Sequence, residues 1–206
     1  MNSAFNRHPV SVQMELLLGH LTGLPDIGKD EVKPSYLRLL ILQAQQKSHL
    51  PIDKICRWVG YCYGALMGDE LKSTEIFEFT PPEIPCANAV HPITVASIDI
   101  LQGLRRIIAM HESAIAETVG DQPHVVFNNK IVTAGKLIDN VTASAKYFSV
   151  EELSLRLGVI QGYMVSNGFI DVTVERDRTR PIFHKAYKEL GIIPPASVKI
   201  ETQERK

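Results

Sequence analysis

Apolar residues recur along this chain at three- and four-residue steps over most of its length, a pattern that predicts helices separated by short Gly- and Pro-bearing breaks. Val12, Leu16, Leu17, Leu18 and Leu21 form one run after Pro9, closed by Gly23-Leu24-Pro25. Leu37, Leu40, Ile41 and Ala44 form a second, from Pro34 or Ser35 to Lys47. A third carries Ile55, Val59, Cys62 and Leu66, with Pro51 in its first turn and Asp53 where a carboxylate suits the positive end of a helix. Past the Pro-rich crossover Thr80-Pro81-Pro82-Glu83-Ile84-Pro85, a long helix is expected from about Thr94 to Val119, ended by Gly120-Asp121-Gln122-Pro123. Two more are expected over Ile131 to Tyr147 and Val150 to Val165, the latter opened by a capping box of Ser149 and Glu152.

Three short stretches read as extended. Glu75 to Thr80 alternates polar and apolar residues, His124 to Phe127 is apolar between turn signals, and Gly168 to Glu175 is rich in β-branched residues. The expected fold class is therefore mainly α with short β segments.

The helical pattern also repeats. His8-Pro9-Val10-Ser11-Val12 is matched by His91-Pro92-Ile93-Thr94-Val95, an offset of 83 (8 to 91), and Gly60-x-x-x-Gly64 by Gly158-x-x-x-Gly162, an offset of 98 (60 to 158). An internally duplicated bundle with a pseudo-two-fold axis follows: residues 1–82 as one helical repeat and 83–206 as a second, carrying an insertion, the two packed as one domain. Equivalent surfaces of a duplication tend to bury against each other, so Gly60, Gly64, Gly158 and Gly162 are expected to form a close helix crossing near the axis. The recurring His-Pro step is read as a way of setting the chain's entry into a helix, with proline tolerated in the first turn.

Composition narrows the function by exclusion. A formal net charge of −1 over 206 residues gives no global attraction to nucleic acid. Met1 to Arg7 lacks a basic region followed by an apolar core, and no run approaches the roughly 18 apolar residues of a membrane span, so a cytoplasmic protein without a membrane partner is expected. Of the three cysteines, Cys56 and Cys62 lie in an apolar helical segment and are assigned to the core; Cys86 has no local partner.

No catalytic signature emerges, and no catalytic residue, metal ligand or cofactor is assigned. His111-Glu112 is not followed by a histidine at 115, where the chain has Ile115, so a zinc-protease helix is absent. Glu112 and Glu117 are five apart, about 140° around a helix, and do not share a face for Mg²⁺. Gly-x-Ser-x-Gly and the glycine-rich phosphate loops are missing.

The polar residues instead concentrate in Glu175-Arg176-Asp177-Arg178-Thr179-Arg180-Pro181-Ile182-Phe183-His184. In an extended segment Arg176, Arg178 and Arg180 would project to one side and grip a carboxylate or phosphate in a fork. The competing reading is an ion-pair network that pins the tail to the helical body.

Leu157-Gly158-x-x-Gln161-Gly162 through Gly168-Phe169-Ile170 and on to His184 resembles the closing segment of small accessory proteins of tailed bacteriophages and prophages. Arg57-Trp58-Val59-Gly60 resembles the helix preceding that segment. The resemblance implies an infection-stage protein in the host cytoplasm that binds a host or phage protein. Arg176, Arg178, Arg180, His184 and Tyr187 are then the expected contact surface, in a protein expected to form a homo-oligomer. The alternative is that the same residues hold a phosphorylated small ligand such as a nucleotide, for sequestration or hydrolysis.

Overall fold

The computed structural model describes residues 11–25, 33–46, 50–67, 90–119 and 129–194. Among them are seven α-helices and no strand: α1 (Ser11–Leu21), α2 (Pro34–Gln46), α3 (Ile52–Met67), α4 (Pro92–Val119), α5 (Asn129–Ser144), α6 (Val150–Ser166) and α7 (Val172–Glu189). A 3₁₀ turn at Ala145–Tyr147 leads from α5 towards α6. Positions repeating at three- and four-residue steps are the ones buried on α2, at Leu37, Leu40, Ile41 and Ala44, and on α3, at Ile55, Val59 and Cys62, whereas α1 buries Met14, Leu17 and Leu21 and leaves the expected Leu16 exposed.

Local chemistry sets the ends. Glu152 N donates to Ser149 Oγ at 3.2 Å and Ser149 N to Glu152 Oε2 at 3.0 Å, completing the capping box of α6. Ahead of α4, Ile93 N donates to His91 Nδ1 at 3.2 Å, so this His-Pro step gives one first-turn N–H a partner. The matching His8-Pro9 lies outside the described residues, as do Glu75 to Thr80, His124 to Phe127, Cys86 and the Pro-rich crossover.

The third expected extended stretch, Gly168 to Glu175, is a correction. Gly168, at φ +74°, closes α6 while Gly168 N donates to Val165 O at 3.0 Å and Phe169 N to Met164 O at 2.9 Å. Asp171 then caps a new helix, its Oδ1 accepting from Thr173 N at 2.8 Å and Val174 N at 3.0 Å. Glu175, Thr179, Phe183, Ala186 and Tyr187 are the buried stripe of this helix, α7. Packing of that stripe outweighs the extended preference of Val172, Thr173 and Val174, as context commonly does for β propensity.

The buried side chains fall into two apolar clusters. One is built from α1, α2 and α3 and the other from α4, α5, α6 and α7, with Tyr63 packed against both. They join where α3 and α6 run side by side in the same direction. A Cβ built on Gly60 would strike Leu155 O and lie 3.0 Å from Val159 N; one on Gly64 would strike Val159 O and lie 2.7 Å from Tyr163 N. Reciprocally, a Cβ on Gly158 would strike Arg57 O and one on Gly162 would strike Tyr61 O. The four glycines thus let backbone meet backbone, with each helix repeating the other's contacts.

Gly60→Ala and Gly158→Ala should each cost about 1–3 kcal/mol, because the obstructing atoms are main chain and cannot rotate away. Gly19→Ala, on the exposed side of α1 with nothing within 4 Å, should be neutral or stabilise by up to about 1 kcal/mol. Urea unfolding monitored by circular dichroism separates the two classes; equal midpoints for all three variants would overturn the close crossing.

Candidate functional site

Helix α7 packs along α4 and runs antiparallel to α3, tied to α6 and α3 by buried polar groups towards its two ends. Towards its start, Gln161 Nε2 donates to Glu175 Oε1 at 2.8 Å. Towards its end, the Tyr187 hydroxyl donates to Asp53 Oδ2 at 2.6 Å. Arg57 completes this second anchor: its Nη1 is 3.0 Å from Asp53 Oδ2, its Nη2 donates to the Tyr187 oxygen at 3.3 Å, and its guanidinium carbon sits 3.5 Å from the centroid of the Phe183 ring. A carboxylate only 4% exposed, as Asp53 is, needs such partners to offset its desolvation. Burial pushes the Tyr187 hydroxyl well above its ordinary range, so it remains a donor at neutral pH.

Between α7 and the face made by α2 and α3 is a cleft of about 210 Å³. Tyr36, Trp58 and Tyr61 line it from α2 and α3, and Phe183 and Tyr187 from α7. Among these rings stand the cationic side chains Lys54, Arg57, Arg176 and Arg180, with His184 beside them. The Lys54 ammonium lies 5.1 Å from the centroid of the Trp58 ring, so aromatic and cationic parts adjoin. The ionised state of His184 is disfavoured, and its pKa lies below the usual histidine value, first through partial burial and then through the charges of Arg180, Lys54 and Lys188.

Helical geometry redistributes the residues expected to act together. Arg176 and Arg180, four apart, line the cleft with His184 and Tyr187, but Tyr187 is almost wholly buried and supplies a lining wall, not an exposed contact. Arg178 is turned about 200° from Arg176 around the helix. It reaches α4, where a Cβ built on Gly103 would strike its Nη1, and its Nε and Nη2 donate to the two Glu175 oxygens at 2.8 Å each. The single-sided arginine fork of an extended tail is therefore corrected to two arginines in the cleft and one in a structural ion pair. Arg176 and Arg180 also lie 3.8 and 3.6 Å from Asp177, a carboxylate 60% exposed, where solvent makes pairing weak.

Sequence reading missed the α3 half of the cleft: Lys54, Arg57 and Trp58 were absorbed into a helix assigned wholly to packing. Two basic residues one turn apart, following Asp53 in a mainly apolar helix, are the signal that could have marked it. Other chemistries find little footing. Burial pushes the Cys56 thiol up to about 12, with Glu151 and Asp53 adding to it, and burial also raises Cys62, whose Sγ donates to Leu37 O at 3.8 Å. Glu112 pairs with Arg105 at 3.1 Å. Among the described residues no group of three or more His, Cys, Asp or Glu side chains could hold a metal ion, and no helix is long and apolar enough to cross a membrane.

Tyr187→Phe removes the donor to buried Asp53 and should cost about 1.5–3 kcal/mol, the range for a hydrogen bond to a charged group. The denaturant midpoint should fall with the slope unchanged; an unaltered midpoint would show that this hydroxyl does not anchor α7. No family model, curated protein or solved structure matches the chain.

Proposed function

We propose that the protein binds a small phosphorylated ligand carrying a planar ring, a nucleotide by chemical class, in the cleft between α3 and α7. The observation that carries this reading is the mixture of side chains in one concave site: rings at Tyr36, Trp58 and Tyr61, cations at Lys54, Arg176 and Arg180. Glu175 lines the same cleft but is engaged by Arg178 and Gln161, and Asp53 by Arg57 and Tyr187. Lys54, Arg57, Arg176 and Arg180 line the cleft against the single lining carboxylate of Glu175, and Asp177 beside two of the arginines is exposed, a balance that favours an anion. Flat rings offer stacking of about 1–3 kcal/mol per base.

The protein-contact reading draws on the same polar concentration, but Tyr187 is almost wholly buried and Arg178 is bonded to Glu175, so the concave cleft favours a small ligand. Binding also suits the site better than hydrolysis, since its two buried carboxylates are committed to internal partners. We further read the α1–α3 and α4–α6 clusters as copies of one unit. The reciprocal glycine contacts of α3 and α6 support this, with α7 added to the second copy and supplying the cleft once.

Trp58 is the chain's single tryptophan and lines the cleft, so its fluorescence reports on the site directly. Titration with nucleoside mono-, di- and triphosphates should give a saturable change in emission. Arg180→Glu should weaken it at least tenfold, a change of about 1.4 kcal/mol, with helicity retained. A flat Trp58 signal across the panel, with no thermal stabilisation, would reject the reading.

A further inference from the structure

The cationic part of the cleft is assembled from two helices. Lys54 comes from α3, while Arg180 and His184 come from α7 at a four-residue step that places them on one face, with Lys188 the next residue in that row. Lys54 is itself only 9% exposed, so it stands inside the wall of the site. Resting on the reading above, we propose that this Lys54–Arg180–His184 cluster is built for the dianion of a phosphomonoester, and that His184 takes up a proton as the dianion enters.

Charge balance singles out the dianion. The groups that face His184 are Arg180 and Lys188 from its own helix and Lys54 from α3, all cationic; partial burial first, and then these charges, disfavour its imidazolium form. The cleft's remaining titratable lining consists of Arg57 and Glu175, each internally paired, the tyrosines at 36, 61 and 187, and Arg176. Exposed Asp177, 3.6 Å from Arg180, offsets that charge only weakly. A phosphate with two negative charges placed among these cations reverses the local field and makes the imidazolium favourable. It gives His184 a charge-assisted bond that the free protein lacks. A phosphodiester, with one charge, reverses the field less and draws less of the proton.

The sign follows from linkage. A site whose bound form holds more protons than its free form loses affinity as pH rises, by at most tenfold per unit for one proton. The second ionisation of a phosphomonoester lies near pH 6, so from about pH 7 upward the ligand is already the dianion and the slope belongs to the protein.

The test compares a nucleoside 5′-monophosphate, its 3′,5′-cyclic counterpart and ribose 5-phosphate, using calorimetry in buffers of different ionisation enthalpy together with Trp58 emission between pH 7 and 9. The 5′-monophosphate should bind with uptake of up to about one proton and lose affinity as pH rises. The cyclic form should bind more weakly with little uptake. His184→Gln should abolish the uptake and flatten the profile. Ribose 5-phosphate that took up the proton and bound as tightly as the nucleotide would keep the phosphate cluster but reject the stacking partner. Equal binding of both nucleotides without proton uptake would overturn the dianion site while leaving the cleft in place. Absence of any binding would remove the cleft reading and this one with it.

Discussion

The parallel crossing of α3 and α6 is the contact on which the other positions depend. Each cluster of helices has its own apolar core, and the two are joined chiefly by helices that touch main chain to main chain at Gly60, Gly64, Gly158 and Gly162. A side chain at any of these positions would push the helices apart, because what it meets is a carbonyl with no rotamer to change. Helix α7 is tied to both members of this pair, so the distance between α3 and α6 sets where Asp53 and Gln161 stand relative to each other. Those are the two points to which α7 is tied.

The cleft is a consequence of how α7 is tied down. Its buried stripe packs with α4 and α6 and reaches α3, but that stripe includes Glu175, and α3 offers Asp53, both nearly excluded from solvent. Each acid acquires one arginine and one neutral donor: Arg178 and Gln161 for Glu175, Arg57 and Tyr187 for Asp53. Such pairing offsets desolvation and gains little beyond that, but it commits α7 to one position, since leaving either carboxylate unpaired would be costly. Lys54, Arg176 and Arg180 gather in the space between α7 and the α2–α3 face.

Much of the helical body was legible because it is written in short-range patterns. The stripes on α2 and α3, the Ser149–Glu152 box and the glycine spacing each encode geometry within a few residues, and α2 to α6 begin and end close to where those signals lie. Helix α7 was misread because two periods overlap in it. Arg176, Arg178 and Arg180 alternate with period two, as in a strand, while Glu175, Thr179, Phe183 and Tyr187 repeat every four. The second pattern contains a glutamate and a threonine, which reduces its hydrophobic signal, and only packing against α6 shows that both are buried. Half of the cleft was hidden for a related reason. Nothing local in Lys54 or Trp58 indicates that a helix more than a hundred residues later closes over them.

The same pairing bears on what the cleft can do. A general base near a bound ligand must be free to accept a proton, and the two acids closest to the site are each occupied by a guanidinium. The Tyr187 hydroxyl is held as a donor to Asp53, and both described cysteines are buried with raised thiols. That leaves cations, ring faces and one neutral imidazole directed at the same space. Lysine and arginine stabilise charge without moving protons at neutral pH, so His184 is the group in the cleft best suited to change its protonation when a ligand arrives. Under the proposed reading, such a site would recognise charge and shape, with its one titrating member tuning how tightly.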